Sequence, residues 1–297
     1  MNTIRAEIAP ALARPAAYLA LTKPDVSFLV IITTLSGFYL GSRGPADLLR
    51  LGHTLLGTAL LAAGTSALNH YLERFSDAKM RRTASRPLPA GLLLPREALG
   101  FGAGFVVAGA LYLGLAAGAL ASLLGAAACA SYLGAYTPLK KRTTMATLVG
   151  AFPGAVPPLI GWAAARDSLT LEAWTLYAIL FLWQFPHFLA IAWMYREDYA
   201  RANIRMLPVV DRTGAATFRQ VLLTALALIP VSLLPAVVGL AGARYLFGAL
   251  VLGLALVQVC LWAARTKTNA RAKWLMHATV LYLPLLLGLM MADKLAR

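Results

Sequence analysis

Asn69, Glu73 and Asp77 stand four residues apart near the end of a long apolar stretch. At about 100° per residue they fan across only roughly 80° of one helix face. Hard oxygen donors in that array suit Mg²⁺, which is usually held by one or two carboxylates together with substrate phosphates. Lys79, Arg82 and Arg86 follow directly. A metal-binding face beside an arginine pair matches a diphosphate, because both neutralise charge on a departing leaving group. A solvated helix end carrying surface ion pairs would show the same residues, so a second cluster carries weight. Tyr195-Arg196-Glu197-Asp198-Tyr199 again sets carboxylates at the end of an apolar run, with Asp198 the candidate ligand. Both clusters lead into a basic stretch and a proline, Arg86-Pro87 in one case and Arg205-Met206-Leu207-Pro208 in the other. The repeat is a weak internal symmetry with a period near four apolar runs, and it could set metal sites on either side of one diphosphate.

The elements that must position these residues are apolar. Of 297 residues, 60% are hydrophobic and only 13% charged, with mean hydropathy +0.69. Soluble domains carry about 25% charged residues. A soluble enzyme, a disulfide-rich secreted module and a disordered chain are excluded. Runs of around 20 residues without alternation predict an all-α polytopic membrane protein, since helices satisfy their own backbone in lipid. Nine spans are expected, near 19–41, 51–73, 97–117, 119–137, 145–165, 171–195, 217–240, 243–264 and 274–292, around a central cavity open near the cytoplasmic face. They form one transmembrane domain over 1–297, with 1–17 as an N-terminal cytoplasmic segment. That segment carries Arg5 and Arg14 but no small-x-small cleavage pattern, so the first span is expected to be retained.

The net charge of +15 raises the question of nucleic acid. Its distribution answers for a membrane instead. With the N-terminus cytoplasmic, segments 1–23, 74–96, 140–142, 196–219 and 265–273 hold 21 of the 27 Lys and Arg. That asymmetry orients the chain and leaves the C-terminus outside. The loops near 73–96 and 196–216 are long for a compact bundle, and such loops are usually functional.

Smaller features have plainer readings. Cys129 and Cys260 fall inside apolar runs and read as small buried hydrophobes. Gly37/Gly41, Gly100/Gly104, Gly114/Gly118 and Gly150/Gly154 are small-xxx-small pairs that let helices approach closely. Lys140-Lys141-Arg142 lies on the cytoplasmic side, either as plain topology charge or as diphosphate contacts through Lys140 and Arg142. His187 follows Pro186 within the sixth span. Intramembrane histidine is usually a satisfied hydrogen-bonding group.

Longer blocks carry a resemblance. They are Thr22-Lys23-Pro24, then Asn69…Asp77…Arg82-Thr83…Arg86-Pro87-Leu88…Gly91, and Tyr136-Thr137-Pro138-Leu139-Lys140-Lys141-Arg142-Thr143-Thr144. Gly150-Ala-Phe-Pro153-Gly154-Ala-Val-Pro157-Pro158-Leu-Ile-Gly161-Trp162, Gln184-Phe-Pro186-His187-Phe188 and Asp198-Tyr199 through Met206-Leu207-Pro208-Val209 continue it. Over 22–210 the chain resembles the UbiA-type intramembrane prenyltransferases, and within them the haem-farnesylating branch. The resemblance implies transfer of farnesyl from farnesyl diphosphate to a vinyl group of haem B, with Mg²⁺ as cofactor, in a bacterial inner membrane. It implies metal ligands at Asn69, Glu73, Asp77 and Asp198, and diphosphate contacts at Lys79, Arg82, Arg86, Lys140 and Arg142. Haem contact falls to His187, and a haem A synthase or terminal-oxidase assembly is a partner in prospect. The family's first motif usually has Asp where Glu73 stands. Its second has two aspartates four apart, where this chain has Tyr195 and Tyr199 with Asp198 one place off. Three other readings stay open on the residues alone: polyprenyl transfer to an aromatic acceptor, a secondary transporter, and a non-catalytic haem chaperone.

Overall fold

A computed structural model describes residues 14–295. Arg5 and Arg297, both counted in the topology argument, lie outside the described residues. Residues 14–21 are helical (α1) and lead through a break at Thr22-Lys23 into α2 (Pro24–Gly41). Lys23 has φ +47° at this junction, and Pro24 opens α2, where its missing N–H costs nothing. The chain continues through α3 (Leu48–Asp77), α4 (Pro95–Ala116) and α5 (Ala119–Ser131). A π-helical turn at Tyr132–Tyr136 joins α5 to the short α6 (Thr137–Leu139). Then come α7 (Ala146–Gly154), α8 (Pro157–Arg166), α9 (Leu171–Met194), α10 (Arg196–Arg201) and α11 (Leu207–Val210). Three long helices close the bundle: α12 (Ala215–Val237), α13 (Ala243–Thr266) and α14 (Asn269–Ala292). Among the described residues nine segments are long and apolar enough to cross a membrane, and the chain is a multi-pass membrane protein.

The expected spans are all present, with three differences of substance. The first, expected from residue 19, starts only at Pro24, because the break at Thr22-Lys23 leaves residues up to 21 in α1. The second begins and ends outside its expected edges, so Asn69, Glu73 and Asp77 all lie on one continuous helix and Asp77 is its last residue. The fifth is broken into α7 and α8 at Ala155-Val156, ahead of Pro157-Pro158. Proline clashes with the preceding turn and removes a donor, which is why the run does not continue. Broken backbone at membrane depth survives where protein or a cavity surrounds it. Here the buried Gln184 amide donates to the Ala151 carbonyl at 3.1 Å.

Close contacts hold the helices together. A Cβ built on Gly161 would lie 1.9 Å from the Thr34 carbonyl oxygen, and one on Gly37 2.1 Å from that of Pro158, so α2 and α8 pack backbone to backbone. Gly64 of α3 and Gly109 of α4 meet the facing backbone in the same way, while Gly57 and Gly102 are packed against the side chains of Leu113 and Leu68. The Gly100/Gly104 pair expected to pack faces open space instead. The glycines that matter in α4 are spaced seven apart and lie on another face. Behind the site, a core of Trp162, Trp183, Leu176, Leu228 and Tyr282 joins α8 and α9 to α12, α13 and α14. Cys129 and Cys260 are free and buried, as expected.

Residues 78–94 form a series of turns, not a helix. Arg82 and Arg86 therefore do not share a helix face, contrary to their i, i+4 spacing. The Thr83 hydroxyl donates to the Asp77 carbonyl at 2.9 Å and folds this segment back over the end of α3. Met80 packs with Ala192, Ala202, Ile204 and Met206, so the turn segment meets the α10–α11 region at one end of the bundle.

Candidate functional site

The three donors on α3 each meet a different cation. The Asn69 side-chain oxygen accepts from Lys23 Nζ at 2.7 Å, and Glu73 Oε1 accepts from Lys140 Nζ at 2.8 Å. Both oxygens of Asp77 accept from Arg86 Nη1, at 2.9 and 2.8 Å. Asn69 and Asp77 are fully buried, and Glu73 is nearly so. Four residues per step turns the helix just enough that one face reaches α2, the α6 loop and the turn segment in succession.

Asp198 comes from the facing side. Its carboxylate accepts from the Arg82 backbone N–H at 3.1 Å and from the Arg201 guanidinium. Arg82 in turn lies over the Tyr195 ring at 4.8 Å. The turn segment thus ties the end of α3 to α10, and the two acidic clusters share one region. Lys79 is exposed and Arg142 stands at a separate chamber, so neither joins this cluster.

The two largely buried lysines differ in electrostatics because their partners differ. Lys23 meets only a neutral amide. Burial, reinforced by the nearby Arg86 charge, pushes its ammonium down to about 7. Lys140 has Glu73 and lies 4.3 Å from the centre of the Tyr136 ring. Burial opposes its charge, but Tyr136 and Glu73 outweigh burial and hold it well above the ordinary lysine value.

An apolar cavity of about 390 Å³ runs from this cluster into the bundle. Lys23, Arg82 and Tyr199 line its polar part, and Leu29, Leu61, Gly125, Ile160 and Leu180 are among its apolar walls. Tyr132 and Tyr136 both line it, with ring centres 5.1 Å apart. On α3 the cavity touches Thr58, Leu61, Ala62, Thr65 and Ser66, one to three turns before Asn69. A second chamber, about 470 Å³, touches Leu72, Glu73 and Ser76 of the same helix and shares no lining residue with the first. Asn69 stands between them. It accepts from Lys23, which lines the cavity, and donates to the Thr137 hydroxyl at 3.3 Å, which lines the chamber.

His187 is not at the cavity wall. Its Nδ1 is 2.9 Å from the Thr279 hydroxyl of α14, and its ring stacks on Trp183 at 4.9 Å. Its neighbours Gln184, Phe188 and Ile191 line the cavity in its place. Sequence reasoning did not assign Lys23, Tyr132, Tyr136, Tyr199 or Gln184 to a site. The Lys23-Pro24 junction ahead of the first span was the available signal for Lys23.

Among the described residues no three His, Cys, Asp or Glu side chains converge tightly enough to hold an ion alone. Mg²⁺ does not require such a cage, since phosphates and water complete its shell. The donor set fits that mode: buried hard oxygens on two facing elements, each now satisfied by a long, rotatable cationic side chain.

The chain is similar to known proteins in sequence and in fold. Residues 30–285 match the UbiA prenyltransferase family. A "Protoheme IX farnesyltransferase" from Solibacter usitatus is 50% identical over 286 residues, covering 93% of this chain and 98% of the relative. A solved digeranylgeranylglyceryl phosphate synthase has the same fold, with TM-score 0.76 at 16% identity, covering 94% of this chain and 98% of that one. A UbiA homologue from Archaeoglobus fulgidus, solved bound to GPP and Mg²⁺, aligns with TM-score 0.63 at 16% identity, covering 92% of this chain and 99% of that one.

Proposed function

The chain belongs to the UbiA prenyltransferase family, and on that premise we propose that it transfers a farnesyl group from farnesyl diphosphate to a vinyl group of haem B. The products are haem O and diphosphate. One observation carries the reading: a row of oxygen donors on one helix, each paired with a long cationic side chain, leads through Lys23 to the polar part of an apolar cavity. The reading also draws on the names of close, full-length relatives.

Asn69, Glu73, Asp77 and Asp198 are the residues that would hold Mg²⁺, whose chemistry when bound is to draw negative charge off the leaving diphosphate. Lys23, Arg82, Arg86 and Lys140 are the cations that would bind the diphosphate oxygens, the arginines in fork geometry. The cavity takes the prenyl chain and keeps water from it. Its tyrosine faces, Tyr132 and Tyr136, offer electron-rich surface to an allylic cation. As the C1–O bond breaks, both electrons leave with the diphosphate. The terminal vinyl carbon of haem then bonds to C1, and water adds to the inner vinyl carbon and loses a proton. This yields the hydroxyethylfarnesyl group.

On this reading the chain acts as one transmembrane domain in a bacterial inner membrane, and the asymmetry of Lys and Arg supports an orientation with the N-terminus cytoplasmic and the C-terminus outside. The direct test is the mass of haem extracted from cells with and without this protein. Haem O appearing only with the protein is the expected result. A prenylated aromatic product with unchanged haem would reject the acceptor.

A further inference from the structure

The second chamber has walls of two kinds. Leu72, Leu133, Pro138 and Ile204 are apolar, while Lys140, Lys141 and Arg142 are consecutive cations along one edge. Glu73 is the one carboxylate lining it, and Lys140 already pairs with it. Among the described residues Lys141, Arg142 and the adjacent Arg205 have no ion-pair partner. Their backbone is held in place: the Arg205 N–H donates to the Lys140 carbonyl at 2.7 Å, and its guanidinium donates to the Arg142 carbonyl at 3.3 Å. Topology charges need no such shape. They require neither a concave apolar wall nor a fixed loop.

We propose that this chamber seats the acceptor, taking a flat apolar ligand that carries two carboxylates on one edge. For the reading above, on which this inference rests, that edge is the propionate edge of haem. Lys141 and Arg142 lining the chamber supply two uncommitted positive charges for two carboxylates. The apolar walls cover the porphyrin faces. Haem carries its vinyl groups on the half of the ring away from the propionates. Seating the carboxylate edge at Lys141 and Arg142 leaves the vinyl half free to face Thr137, which lines the chamber and accepts from Asn69, the residue that also meets Lys23 of the prenyl cavity. The chamber touches Glu73 and Lys140 of the proposed metal and diphosphate set but neither Asp77 nor Asp198, so it adjoins the expected diphosphate position along one edge only.

The test is absorbance titration of the full-length protein in neutral-lipid nanodiscs with haem B and with its dimethyl ester. Wild type should bind haem B at least about tenfold more tightly, the scale of one lost charge-assisted hydrogen bond. Lys141→Gln with Arg142→Gln should abolish that preference while leaving affinity for the ester and for farnesyl diphosphate unchanged. Lys141→Arg with Arg142→Lys, which keeps both charges, should retain the preference. Equal binding of acid and ester by wild type, or a preference that survives the double glutamine change, overturns the chamber assignment while leaving the reaction intact. Binding of farnesyl diphosphate with no binding of either porphyrin overturns both the chamber and the haem acceptor.

Discussion

A single guanidinium nitrogen of Arg86 reaches both carboxylate oxygens of Asp77, nine residues earlier, at 2.9 and 2.8 Å. The carboxylate is buried and the arginine partly exposed. The buried partner thus has one cation to satisfy it, and that cation can leave toward solvent. Asp77→Asn keeps the shape and removes the charge. It is expected to lower prenyl transfer by at least about 10- to 100-fold, the scale for disturbed metal-site residues. Thermal melting should show the variant folded. Near-normal turnover would remove Asp77 from the metal set.

Arg86→Lys tests the other partner. Lysine keeps the charge but offers a point ammonium, not a planar fork. Catalytic efficiency with farnesyl diphosphate, measured at fixed haem, should fall by about tenfold or more. An unchanged value would leave Arg86 as a topology charge that happens to cover Asp77.

Chelation should separate the two substrates. Removing Mg²⁺ is expected to abolish transfer and weaken farnesyl diphosphate binding, while the haem absorbance titration stays as it was. Loss of haem binding on chelation would mean that the acceptor depends on the same ion.

Gly161→Ala concerns the frame. The added methyl would lie 1.9 Å from the Thr34 carbonyl oxygen and 2.6 Å from the Phe38 nitrogen, both backbone atoms. α2 and α8 must separate, at a cost of about 1–3 kcal/mol. A lower melting temperature is expected, together with weaker farnesyl diphosphate binding, because α2 follows directly from Lys23. Gly104→Ala, in open space, should melt like wild type.

His187→Ala is expected to leave haem affinity unchanged and to lower stability by about 1–3 kcal/mol, since it removes the contact to the Thr279 hydroxyl, which keeps only its bond to the Met276 carbonyl, and opens a gap beside Trp183. A large loss of haem affinity without loss of stability would return the imidazole to the acceptor site.

Much of this was legible in the residues because membrane helices announce themselves by composition. The apolar runs located all nine spans, and the four-residue rhythm of Asn69, Glu73 and Asp77 placed them on one helix face. Partners were not legible. Nothing local says that Lys23 meets Asn69 or that Lys140 meets Glu73, since those pairs are 46 and 67 residues apart and depend on how α2 and α6 pack against α3. Helix spacing misled for Arg82 and Arg86, which lie in turns. It was also blind to His187, whose face of α9 is set by α14. The break between α7 and α8 was written in Pro157-Pro158, but hydropathy averages over such a break.

The π-helical turn at Tyr132–Tyr136 is a matter of counting. Such a turn uses more residues than 3.6 per revolution, so it acts as a built-in insertion that re-phases everything after it. Tyr132 and Tyr136 stay on the cavity side, and Lys140 arrives opposite Glu73. Gly134 in the middle of the turn is exposed and touches nothing where a side chain would begin. Substituting it should be nearly silent. Deleting it should rotate Thr137, Lys140 and the whole basic loop away from α3 without removing one functional side chain. At this point of the chain the length of the sequence, more than its letters, holds the two halves of the site in step.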